Sequence, residues 1–139
     1  MLTVCAPPEG RAESDPVYTS RWNNVAVGGY DVVSFYSGEP LPGTKDFKTD
    51  YKGAEWRFST GANRDLFLTN PDAFAPQYGG YCAWAMANNE LAKGSPDYWH
   101  IRDGKLYLNY NARIQEQWKQ DIPGFILKAD RNWPGILQD

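Results

Sequence analysis

Histidine is nearly absent from this chain, with His100 as the one imidazole in 139 residues, and cysteine is limited to Cys5 and Cys82. A closed zinc site needs four ligands, usually drawn from those two types, so most of such a set would have to come from Asp, Glu, Met86 or Tyr. One cysteine pair defines neither a disulfide framework nor a redox compartment. No segment approaches the ~18 consecutive apolar residues of a membrane span, which leads us to expect a soluble chain without a transmembrane segment. No run of five Lys or Arg occurs, and a formal net charge of −3 with a pI near 5.1 supplies no basic field, so nucleic acid and anionic membrane are poor partners. The GxSxG, HExxH, P-loop and GxGxxG patterns are also missing, which removes several common enzyme classes. No internal repeat is evident by eye.

Aromatic residues, in contrast, are abundant: six Trp, nine Tyr and six Phe. Each ring buries a large area, so a chain with few aliphatic residues still builds a core, and packing is the ordinary use of such rings. The length suits one domain. Residues 1–16 combine Pro7, Pro8, Gly10 and charged residues without apolar periodicity and read as a flexible arm, leaving residues 17–139 as the single domain. The arm carries Cys5, expected to be a free and mobile thiol. Leu2 to Cys5 faintly resembles the end of a lipoprotein signal, although Val4 is bulky for it.

Within the domain, Asp31 to Tyr36 (DVVSFY), after Gly28 and Gly29, reads as a first strand. A two-residue turn at Lys52 and Gly53 sets Phe47 opposite Phe58, Thr49 opposite Trp56 and Tyr51 opposite Ala54, with the charged side chains on the other face: a hairpin. Asn63 to Asn70 suits a short helix ended before Pro71, with another turn through Phe74 to Pro76. Tyr81 to Ala87 is small, apolar and sulfur-bearing, and reads as a buried short helix or a strand. Asp103 and Gly104 mark a second hairpin, pairing Trp99 with Leu108, His100 with Tyr107 and Ile101 with Leu106. Ala112 to Lys119 places Ile114 and Trp118 at i,i+4, and another short helix follows Pro123. The fold class is α+β: a small antiparallel sheet of short hairpins packed with several short helices.

In that order, the segments GYDVVSFY (Gly29 to Tyr36), YKGAEWRF with NRDLF, NPDAFAPQYGGYCAWA (Asn70 to Ala85), DGKLYLNYN and ADRNWPG resemble the YHS-domain family, in its branch of small, often exported bacterial proteins. The resemblance implies a small α+β fold and a periplasmic or secreted location, after removal of a signal peptide, with lipidation at Cys5 as a variant. In metal-associated YHS branches, cysteines recur in a DPVCGM-like opening and an FCS..C segment and supply thiolates for copper or zinc. On this chain those positions fall at Ser34, Ser59 and Asn63, whose neutral hydroxyl and amide groups are weak ligands for soft metals.

The remaining chemistry centres on Cys82 and His100. Thiolate with imidazole is either part of a metal site, with Met86 completing a conceivable Cu(I) set, or a nucleophile with its base. The ordinary alternatives are a buried small side chain for Cys82 and a cross-strand partner of Tyr107 for His100. Tyr78, Tyr81, Trp84, Tyr98, Trp99 and Tyr107 surround them in sequence and would line an aromatic pocket if they converge. Asp31, Asp65, Asp72, Asp97, Asp103 and Asp130 fall at turns and helix ends, where capping is the usual role. The expected function is therefore non-catalytic: a cell-envelope accessory protein binding a small ligand or soft metal. A Cys/His-dependent enzyme and a structural interaction domain without a site are the alternatives.

Overall fold

The structure, a computed structural model, describes residues 14–138. Cys5 and most of the expected arm lie outside that range. The last residues assigned to the arm are fastened to the domain: the Ser14 N–H donates to Leu137 O at 3.1 Å, and Asp15 O accepts the Tyr81 hydroxyl at 2.8 Å. The architecture is α+β, with two antiparallel two-stranded sheets and several short helices. Strands β1 (Thr44–Tyr51) and β2 (Ala54–Phe58) form the first hairpin, and β3 (Ser95–Arg102) and β4 (Lys105–Asn109) the second. Helices are α1 (Gly61–Thr69), α2 (Pro71–Phe74), α3 (Ala83–Ala87), α4 (Ala112–Lys119) and α5 (Ile122–Asn132). None of the helices among the described residues is long and apolar enough to cross a membrane.

Both hairpin turns form where the sequence places them. Lys52 and Gly53 have φ of 51° and 81°, Asp103 and Gly104 52° and 74°, so both central residues of each turn are left-handed, matching the twist of the flanking strands. Cross-strand partners in the second hairpin are as expected, Trp99 with Leu108, His100 with Tyr107 and Ile101 with Leu106. The first hairpin departs at its open end: Lys48 pairs with Arg57, but Thr44, and not Phe47, pairs with Phe58. Residues 45–47 bulge out of the ladder. Gly43 lets β1 enter there, since a Cβ on it would lie 2.4 Å from the Arg57 carbonyl carbon.

DVVSFY is not a strand. Residues Val32–Ser37 form a short 3-10 helix because the Asp31 side chain accepts the N–H groups of Val33 and Ser34. A local side-chain cap thus outweighs the β-propensity of two valines that have no neighbouring strand to pair with. Tyr81 to Ala87 resolves as the helical alternative, α3, after a tight turn over Gln77–Gly80.

The structure contains an internal repeat that inspection of the sequence misses. Adding 51 to the bounds of β1 (44 and 51) gives those of β3 (95 and 102), and the same shift converts β2 into β4. The bulges coincide under it, as do the helix N-caps Thr60 and Asn111. All twelve positive-φ residues among those described fall into six pairs 51 apart, among them Val27 with Tyr78 and Gly38 with Asn89. Over residues 27–70 and 78–121 only seven of the 44 paired positions are identical, four of them glycines, so the repeat survives as backbone conformation and not as side-chain identity. Left-handed backbone is costly for most residues, which is why the glycines at it persist.

The two units share one body through β4. Leu106 and Leu108 enter the cluster of Trp56, Phe58, Phe35 and Phe67, while Tyr107 enters the cluster of Tyr78, Met86, Trp118 and Ala129. Successive side chains of a strand point to opposite faces, so a single strand serves both cores.

Candidate functional site

Each unit begins its short helix at one N-cap residue: Asp31 in the first, whose side chain caps the helix, and, 51 residues later, Cys82 in the second, which makes no side-chain cap hydrogen bond. Asp31 is fully buried. Its Oδ1 accepts from the Val33 N–H at 2.9 Å and the Ser34 N–H at 3.3 Å. Its Oδ2 accepts from the Ser59 N–H at 2.9 Å, the Ser59 hydroxyl at 2.7 Å and the Asn63 amide at 2.8 Å. The Ser34 hydroxyl completes the cluster, donating to the Asp31 carbonyl at 2.6 Å and accepting from the Leu41 N–H at 2.8 Å. A buried carboxylate surrounded by donors in this way is fully satisfied.

Ser34, Ser59 and Asn63 therefore do converge, but around a carboxylate. Each polar side chain already spends a donor on Asp31, and none offers a thiolate or imidazole. The cluster does not fit copper or zinc.

Cys82 occupies the matching place and is 1 % exposed. The backbone N–H groups of Trp84, Ala85 and Tyr110 face its sulfur, the counterparts of Val33, Ser34 and Ser59 around Asp31. The thiol contacts Asn109 Oδ1 at 3.5 Å. Burial pushes its pKa up and these backbone donors only partly offset that, so the group is a protonated thiol at neutral pH. The sulfur borders an apolar pocket of about 190 Å³, lined also by Trp84, Leu91, Ala92, Tyr110 and Ile114, with Glu90 as its single charged group.

His100 does not line that pocket. Its ring packs edge-on against Trp118 at 5.4 Å, opposite Tyr107, and burial, then Lys119 and Arg102, lower its pKa. No hydrogen bond joins it to Cys82, whose polar side-chain neighbour is Asn109. Met86 is fully buried in the second core. Among the described residues no three His, Cys, Asp or Glu side chains are grouped to hold a metal ion. Cys82 thus lies beside Asn109, His100 against Trp118, and Met86 in the core cluster that also holds Trp118.

The expected aromatic pocket resolves mainly into core. Tyr78 packs on Tyr107 at 6.0 Å and on Trp133 at 6.3 Å, and its hydroxyl donates to Asp130 at 2.9 Å. Tyr81 packs on Trp133 at 6.2 Å. Only Trp84 of that group lines the Cys82 pocket. Sequence reasoning missed Asp31, treated as an ordinary cap, and missed Glu90, Leu91, Tyr110 and Ile114. The 51-residue offset was the signal that would have found them, because it maps Ser59 and Asn63 onto Tyr110 and Ile114.

Comparison with curated proteins and with solved structures finds no match for this chain. The family model described as the YHS domain matches residues 32–78, a stretch that runs from the Asp31-capped helix through the first hairpin to the start of the second unit. The chain thus contains a match to the YHS domain that spans most of its first unit, and that covers less than half of its length.

Proposed function

We propose that this protein has a non-catalytic binding or accessory role in the cell envelope, holding a small ligand without transforming it. The observation that carries the reading is the condition of Cys82: a buried, protonated thiol at the edge of an apolar pocket, without a histidine beside it. A nucleophile needs the thiolate and a base within hydrogen-bond reach, and a soft-metal site needs the thiolate and further ligands. A pocket that only binds a small molecule needs neither. Resemblance to exported YHS proteins supports the envelope location.

Native mass spectrometry of protein purified without added metal, paired with thiol titration of a Cys5→Ser variant, tests the reading. The expected outcome is a releasable small-molecule mass and a Cys82 that reacts only after unfolding. Rapid alkylation of the native protein, or a stoichiometric metal lost in Cys82→Ser, would overturn it.

A further inference from the structure

In the first unit the space beside the short helix is occupied by the Asp31 carboxylate and the polar side chains of Ser34, Ser59 and Asn63. Their partners 51 residues on are Cys82, Ala85, Tyr110 and Ile114, and all four line the pocket of about 190 Å³. The matching backbone N–H groups still lie near the centre, the one of Trp84 now donating to Asn109 Oδ1 at 3.1 Å, but the side chains that filled and hydrogen-bonded the first centre have become a thiol, a methyl, an aromatic ring and a branched aliphatic. Loss of polar filling leaves a pocket with an apolar wall.

We propose that residues 78–121 are a second, diverged copy of the YHS unit, and that its converted centre is a binding site for a small aromatic cation. This deepens the reading of the protein as a binding module and rests on it. The volume suits one ring with a short substituent, since an apolar cavity of about 150 Å³ accepts benzene. Trp84 and Tyr110 offer aromatic surface, and a cation gains from such faces. Glu90 is the one charged group on the lining and has no ion-pair partner among the described residues, so it selects an ammonium over a carboxylate. No nucleophilic chemistry is required of Cys82, which serves as a wall.

The test is an amide-resolved NMR titration of the full chain with benzylamine, and with benzoate at the same ionic strength as control. Benzylamine is expected to shift the amides of Trp84, Ala85, Leu91 and Ile114 saturably, and benzoate to bind more weakly. Glu90→Gln should weaken benzylamine about two- to fivefold, the range of a partly exposed ion pair. Ala92→Leu, which fills the pocket, should abolish the shifts at unchanged thermal stability, while Glu39→Gln, the matching change in the first unit, should leave them intact. Equal binding of benzoate, shifts scattered over the acidic surface, or full binding by Ala92→Leu would each overturn the assignment. A copurifying mass in native spectrometry alongside unmoved pocket amides would sink this site while leaving the binding-module reading in place.

Discussion

Replacing Asp31 with Asn tests whether the hydrogen-bonded centre holds the first unit together. The substitution keeps the shape, but puts an NH2 where one of two accepting oxygens stood. If the retained oxygen serves Val33 and Ser34, the new NH2 faces the Ser59 N–H, the Ser59 hydroxyl and the Asn63 amide. The hydroxyl can rotate and the Asn63 amide can flip, so both recover a partner. The Ser59 backbone N–H cannot. One orphaned donor costs about 1–3 kcal/mol, and the recovered bonds lose their charge assistance, roughly 1 kcal/mol each. Relief from burying a charge offsets part of this. A net loss of about 3 kcal/mol is expected, a large share of the roughly 5–15 kcal/mol that holds a domain of this kind. Urea unfolding at neutral pH should show a lowered midpoint with an unchanged slope, and the melting temperature should fall by roughly 10 °C. A double-mutant cycle of Asp31→Asn with Asn63→Ala should show strong non-additivity, because both act on one bond. A variant within about 1 kcal/mol of the parent, or simple additivity, would refute the argument that the carboxylate organises this unit.

Two further outcomes follow from particular residues. His100 titrates below its ordinary value of 6.5 in the folded protein, so the unfolded chain binds the proton first. Stability should be unaffected by this group above that value and fall as pH drops from it toward the folded pKa. His100→Gln should flatten that part of the pH dependence, read as urea midpoints between about pH 7.5 and 5.5 beside an NMR titration of the only imidazole. Glu55 and Asp72, whose pKa values are lowered, contribute at more acidic pH and leave that window clear. Gly79→Ala and Gly28→Ala compare the two units directly: both sites are left-handed, at φ of 64° and 59°, which costs about 1–2 kcal/mol for alanine. Only at Gly79 would the new Cβ meet backbone, 1.9 Å from Pro16 O, against 3.2 Å from a Pro96 side-chain carbon at Gly28. Thermal melts should therefore rank Gly79→Ala as clearly the more damaging, and equal losses would contradict the claim that the 14–16 segment is fixed against that turn.

Local rules carried the hairpins and the terminal helices. Lys52–Gly53 and Asp103–Gly104 are turn pairs whose conformational demand is met by their own residues, and alternation then assigns the faces of Thr49 to Tyr51 and of Trp99 to Ile101. Those signals fail where a side chain reaches across the chain. Two valines after Asp31 read as strand because nothing adjacent reveals that Ser59 and Asn63, 28 and 32 positions on, come back to the same carboxylate. The bulge in β1 depends on Gly43 meeting the Arg57 backbone, again a non-local contact.

The amino-acid order by itself determined the α+β class, both hairpin turns, most helix positions and the YHS resemblance, because each depends on residues within a few positions of one another. Only the tertiary structure decided that Cys82 is buried beside Asn109 while His100 packs on Trp118, that Ser34, Ser59 and Asn63 close around Asp31, and that one backbone design is used twice. Those facts depend on contacts between distant segments and on backbone conformation. Neither leaves a periodic trace when only seven of 44 equivalent side chains are the same.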